Sequence, residues 1–209
     1  MSEVNQNPNT VSSNSNENLN SDDHGGGNLM FSKPSSFASN RAYIEIHGGS
    51  RDKQKLVKDA ARWMLGHTLG KRQANYIELE INLVDTLKET NFIGEVMWED
   101  DNIRPRIFSM DLCNHITDRR LLRVLAHEIV HIRQYVRGDM KDYVRSAAYS
   151  KWKNKLIQIM GKGSVSYYDY PWEIEARREE GKILKAYCDE TGTRFKRSSG
   201  KVYYEDRSV

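Results

Sequence analysis

The sequence predicts an α+β fold, with a short antiparallel sheet packed against helices, and three observations carry that expectation. Residues Tyr76–Leu83 (YIELEINL) alternate strictly between apolar and polar side chains, the signature of a half-buried strand. Apolar residues recur at helical spacing before this stretch and again, more strongly, after Asp118. The resulting order is helix, small sheet, then helices, without an internal repeat.

Taken in order, residues 1–40 are rich in Asn and Ser, contain Gly25-Gly26-Gly27 and have almost no large apolar side chains. Such a stretch cannot bury enough surface to offset its chain entropy, so it is expected to be disordered. Residues 41–190 remain as one expected domain of ordinary size. Within it, residues 52–70 place Leu56, Val57, Ala60, Ala61, Trp63 and Met64 at helical spacing and close near Gly66 or Gly70. The strand at 76–83 follows, then GEVMW (94–98) and PRIFSMDL (105–112), which read as two more strands around an acidic turn. Asp118 is expected to cap a long helix, DRRLLRVLAHEIVHIRQYVRG, that Gly138 stops. Two further helices are expected at roughly Asp142–Met160 and Trp172–Cys188, followed by a loose basic tail at 191–209.

Composition narrows the function. The formal charge of the 209-residue chain is +3, but residues 1–40 carry about −3 and residues 191–209 about +3, so the middle also carries +3. That is no strong nucleic-acid footprint, and Phe195, Tyr203 and Tyr204 in the basic tail read as solvated. No apolar run approaches the ~18–20 residues of a membrane-spanning helix. The opening MSEVNQNPNT lacks the pattern of a secretory signal, so a cytoplasmic protein is expected. Two cysteines, Cys113 and Cys188, are too few for a disulfide scaffold or a four-thiolate metal site.

The chemistry concentrates in His127-Glu128-Ile129-Val130-His131, an H-E-x-x-H sequence inside the expected helix. Histidines four apart on a helix project from one face and can grip a single ion. Glu128 lies about 100° round from His127, close enough to serve water at that ion without being a ligand. A shuffled chain of this composition contains the pattern roughly once in eighty times, so its helical context matters as much as the letters. The competing reading is two helix histidines satisfied by ordinary contacts.

A catalytic zinc site needs a third protein ligand. The other histidines, His24, His47, His67 and His115, all precede the motif, and Gln134 and Arg137 occupy the places of the metzincin extension. A downstream carboxylate is left. Pro171 suits the first turn of a helix, and Glu173 lies just inside it. With Glu173 at zero phase, Ala176, Glu180, Ile183, Leu184, Tyr187 and Cys188 share its face, whereas Glu175 falls with Glu179, Lys182 and Lys185 on the charged side. Glu173 is therefore the first candidate and Glu180, two turns deeper, the second. An acid favoured by the helix dipole is the plainer use of Glu173.

HEIVH followed by an E-x-E-A helix resembles the gluzincin zinc metallopeptidases, and is nearest to their minimal single-domain members. HEIVHIRQY and YYDYPWEIEAR are similar to small metallopeptidase-like proteins of bacteriophages and bacteria. The likeness covers about residues 75–190. It implies a zincin-like fold, Zn2+ held by His127, His131 and Glu173, and Glu128 as general base in hydrolysis of a protein or peptide substrate. Tyr167, Tyr168 and Tyr170 are candidates to steady the oxyanion, Tyr168 and Tyr170 foremost, with packing of the turn as the plainer use of each. PRIFSMDL could present an edge to an extended substrate. Several relatives place an Asp four residues after the ligand Glu, steadying a ligand His; here Arg177 stands there, so that support must be built differently. A phage-encoded member would work in the virion or the host cytoplasm.

Two rivals accompany this reading: a non-catalytic zinc-binding structural or interaction protein, and a SprT-like DNA-associated protease using the basic tail. The second lacks the expected later His and a cysteine zinc ribbon. Arg137-Gly138-Asp139 reads as a helix end, Gly161-Lys162-Gly163-Ser164 lacks a P-loop's pattern, and Trp152 reads as core or cleft wall.

Overall fold

Leu79, Ile81 and Leu83 on one strand lie level with Phe108, Met110 and Leu112 on the next, and these six buried side chains form the floor on which the helices pack. The strands are β2 (Glu78–Val84) and β4 (Ile107–Cys113), the centre of a four-stranded sheet. β1 (Tyr43–Gly48) flanks β2, β3 (Gly94–Trp98) flanks β4, and the order is β1-β2-β4-β3. The computed structural model describes residues 42–85, 93–142 and 146–195. Expectations for residues 1–40, including His24, and for Tyr203 and Tyr204 lie outside them.

The protein is α+β, but its main sheet is mixed rather than antiparallel. β1, β2 and β4 run parallel, and only β3 is antiparallel to its neighbour. The expectation failed because β1, six residues long, was not read as a strand. Parallel neighbours need a long crossover, and the nineteen-residue helix α1 (Arg51–Leu69) supplies one between β1 and β2. PRIFSMDL is likewise no edge: β4 is paired on both sides, and β3 takes the outer position.

One face of this sheet is apolar and the other polar, as the period-two pattern requires. On the apolar face, α1 contributes Val57, Ala60, Ala61, Met64 and Leu65, and α3 (Asp118–Arg137) contributes Leu121, Leu122, Leu125, Ile129 and Ile132. On the polar face, Asn82 donates to Asp111 at 3.0 Å. Thr117, not Asp118, caps α3 by accepting the Arg120 amide, while Asp118 opens the first turn with a favourable charge. At the far end Gly138 adopts φ 74°, and the Gly138 and Asp139 amides bond Tyr135 and Gln134 carbonyls, a Schellman close.

The helix expected at Asp142–Met160 is replaced by a second, three-stranded antiparallel sheet. Its strands are β5 (Met140–Asp142), β6 (Tyr149–Trp152) and β7 (Lys155–Gln158). Lys153 and Asn154 join the last two with φ of 47° and 68°, the two-residue turn whose left-handed backbone matches strand twist. Ser150 and Trp152 point inward at period two, which a helical reading of the same residues misses.

Trp152 then meets Tyr170 and Trp172 in a small separate core, with Tyr170 and Trp172 stacked at 4.6 Å. This core holds the start of α4 (Pro171–Thr191), which a short 3-10 turn at Tyr167–Asp169 precedes. Along α4, Glu173, Ala176, Glu180, Ile183, Leu184 and Tyr187 are buried, in agreement with the helical phase. The helix runs to Thr191 and Phe195 packs on the main core, so the tail expected from residue 191 begins later. Among the described residues no helix is long and apolar enough to cross a membrane.

Two Gly→Ala substitutions separate backbone conformation from helix propensity. Gly138→Ala forces a side chain into positive φ and should cost about 1 kcal/mol. Gly181→Ala, exposed mid-helix with open space where its Cβ would stand, should gain about 0.5–1 kcal/mol. Urea unfolding of the two variants beside wild type checks both signs.

Candidate metal centre

The buried stripe of α3 turns His131 inward, leaves His127 half-buried one turn earlier, and buries Glu128 between them in sequence. Their Nε2 atoms stand 3.1 Å apart. Glu173, 3% exposed at the head of α4, faces both, with Oε2 3.3 Å from His127 Nε2 and Oε1 3.2 Å from His131 Nε2. Among the described residues these three form the group of side chains able to hold a metal ion.

The opposite side of each ring explains why both Nε2 atoms converge. His127 Nδ1 lies 2.8 Å from Glu180 Oε2, and Arg123 Nε donates to the other Glu180 oxygen at 2.7 Å. His131 Nδ1 lies 2.8 Å from Gln134 Oε1. The fully buried Gln134 amide nitrogen donates to the Trp172 carbonyl at 3.1 Å and to Glu175 at 2.9 Å, which leaves its oxygen as the acceptor. Each ring can therefore keep a proton on Nδ1 and free Nε2 for a cation; without one, a second proton on His127 Nε2 faces the Glu173 carboxylate.

A shared cation suits this arrangement. Zinc ligands at ~2.0–2.1 Å stand about 3.3–3.4 Å apart at the corners of a tetrahedron. The measured separations of 3.1, 3.2 and 3.3 Å are close to that spacing. Two imidazoles and a carboxylate also form a donor set for first-row divalent ions.

Without a cation the electrostatics are tense. Burial opposes charge on His127, but hydrogen bonds to Glu173 and Glu180 outweigh it and push its pKa up to about 10. Burial also opposes charge on Glu173, yet the two histidines hold its carboxyl well below the usual carboxylate range. Glu128 is raised by burial, an effect His131 and His127 partly reverse. One tyrosine reaches the centre: burial and the Glu173 carboxylate, to which it hydrogen-bonds, raise the Tyr167 hydroxyl above its ordinary value.

Of the residues expected here, His127, His131, Glu173 and Glu128 come together, and Tyr168 and Tyr170 do not join them. Tyr168 is exposed, and its ring lies under the Arg177 guanidinium, which also donates to the Tyr168 carbonyl. Tyr170 is buried and donates its hydroxyl to the Ile159 carbonyl at 3.1 Å. Glu180, the second ligand candidate, holds His127 from behind instead. The sequence reading missed Gln134 and Arg123, although the α3 stripe places both within one turn of a motif histidine. Glu175, expected on the outer face, reaches back to Gln134, Arg133 and Lys153. His47 lies near Glu45 and Glu80, His67 stacks on Trp63, and His115 lies near Asp85.

The chain matches no family model, no curated protein and no solved structure.

The pKa shifts set the stability of the chelated protein. His127 charged in the fold contributes fully below its ordinary 6.5, and that contribution drains away as pH rises toward about 10. Glu173 contributes above its ordinary 4.5 and loses its contribution as pH falls. Thermal melts with chelator should therefore peak between pH 4.5 and 6.5, and added zinc should restore stability at pH 8, where the proton on His127 is no longer needed. Where zinc occupies this group, Glu180→Ala should weaken its binding about 10–100-fold, read by competition with a chromogenic chelator.

Proposed function

We propose that this protein is a zinc-dependent metallopeptidase of gluzincin type with a zincin-like fold. The observation that carries the reading is the convergence of His127 Nε2, His131 Nε2 and the Glu173 carboxylate beside the buried Glu128, with no fourth ligand in the group among the described residues. A purely structural zinc site closes with four side chains, whereas a catalytic one keeps a position open. Zinc bound there supplies a Lewis acid that polarises a scissile carbonyl and makes water acidic near neutral pH.

The protein's own residues do the rest. Glu128, raised by burial, is placed to take a proton from the attacking water and return it to the leaving amine. Tyr167, a phenol that carries its proton at neutral pH and hydrogen-bonds Glu173, is the one of the three candidate tyrosines within reach to donate to a developing oxyanion.

β3 aligns the substrate. Cys113 bonds Ile93 and Glu99 bonds Ile107, so the alternating ladder turns the backbones of Gly94, Val96 and Trp98 away from β4, toward the open edge. An extended peptide can add there. Gly94 lets this edge approach the base: a Cβ would stand 3.2 Å from Glu128 Oε1 and 2.4 Å from Val124.

Zinc stoichiometry and peptide-library cleavage on wild type, Glu128→Gln and Glu173→Ala test the proposal. Glu128→Gln should keep zinc and lose about 10²–10⁴-fold in cleavage rate. Glu173→Ala should lose zinc. Full zinc occupancy with no cleavage by wild type would overturn the peptidase reading in favour of a zinc-binding structural protein.

A further inference from the structure

A cavity of about 360 Å³ opens where the C-terminal half of α1, the short helix α2 (Lys71–Ala74), the residue before β1 and the end of α4 meet. It shares no residue with the metal centre. Glu190 on its rim is seventeen residues along α4 from Glu173, about 25 Å of helix.

Three features of this cavity point to a ligand. Arg62 and Lys71 both line it, and Glu190 opens onto the same space. The Arg62 Nε is buried without an acceptor, so the guanidinium is an incompletely satisfied donor that a turn toward a bound oxyanion would complete. One wall is aromatic: Trp63 stacks on His67 at 4.6 Å with the rings 13° from parallel, and Tyr187 braces Trp63 edge-on at 5.6 Å.

Gly66 is the third feature. It sits inside α1, where glycine weakens a helix, yet nothing lies within 4 Å of where its Cβ would be. No close packing explains the missing side chain. What its absence leaves is open space in the cavity, beside the aromatic wall.

We propose that this cavity binds a small planar anion, a ring carrying a phosphate or carboxylate. The anionic group lies between Arg62 and Lys71, the ring packs against the Trp63–His67 wall above Gly66, and the Asn75 amide and Glu190 are placed for polar groups on the ring edge. The volume suits a ligand of mononucleotide size.

Isothermal titration of the full chain with adenosine monophosphate, adenosine, benzoate and inorganic phosphate tests this. Adenosine monophosphate or benzoate should bind at 1:1, more tightly than adenosine or phosphate. Arg62→Gln, which removes the cation, and Gly66→Leu, which fills the space, should each weaken binding at least tenfold while thermal melts show the fold retained. A metal chelator should leave binding unchanged, because the cavity shares no residue with the metal centre. No heat from any probe at 10 mM overturns the proposal, as does unchanged affinity in both cavity variants. Phosphate binding as tightly as adenosine monophosphate overturns the planar class.

Discussion

A carboxylate that is 3% exposed, held between two imidazoles at 3.2 and 3.3 Å, is the constraint around which the lower half of this protein is arranged. A buried charge is costly unless it is paired and hydrogen-bonded. Glu173 is therefore tolerable only if α4 begins at one place relative to α3. The structure meets that demand from both sides. Gln134 ties α3 to the Trp172 carbonyl, and the Trp152–Tyr170–Trp172 core fixes the residues just before Glu173. The second sheet thus serves the centre without contributing a ligand to it.

The two histidines of the group are supported unequally. His127 leans on a carboxylate that is itself ion-paired to Arg123, whereas His131 leans on a neutral amide. An anionic partner strengthens the donor character of an imidazole more than a neutral one does. It also explains why His127 holds its proton so firmly without a cation. That support comes from Glu180, two helical turns from Glu173 on the same face.

Access to the centre follows from sheet order. With β4 buried between β2 and β3, the strand bordering Glu128 is the antiparallel edge β3. Such an edge invites pairing with another chain, normally a hazard that proteins blunt. In the proposed peptidase this edge, beside Glu128 and the His127–His131–Glu173 group, is where the substrate pairs, and the glycine at its first position allows the close approach.

How much of this was legible depended on the range of the determining interaction. The alternation in β2, the α3 stripe with its glycine stop, and the inward phase of Glu173 are set by periods of two and 3.6 within one segment. They read correctly from the letters. The grouping of His127, His131 and Glu173 was legible as well, because histidines four apart must share a face, no histidine follows His131, and helical phase turns Glu173 inward. The direction of the strands was not legible, since β1 pairs with residues more than thirty positions away. The β6–β7 hairpin was missed where its Lys153-Asn154 turn outweighed helical spacing. Which tyrosine faces Glu173, and that Gln134 and Glu180 fix the imidazoles, depends on how α4 docks against α3. The sequence by itself determined which groups could bind a metal; only the tertiary structure decided how they are held, because His127 is held by Glu180, and Gln134 by Trp172 and Glu175, pairs about forty to fifty apart in the chain, where local periodicity has no reach.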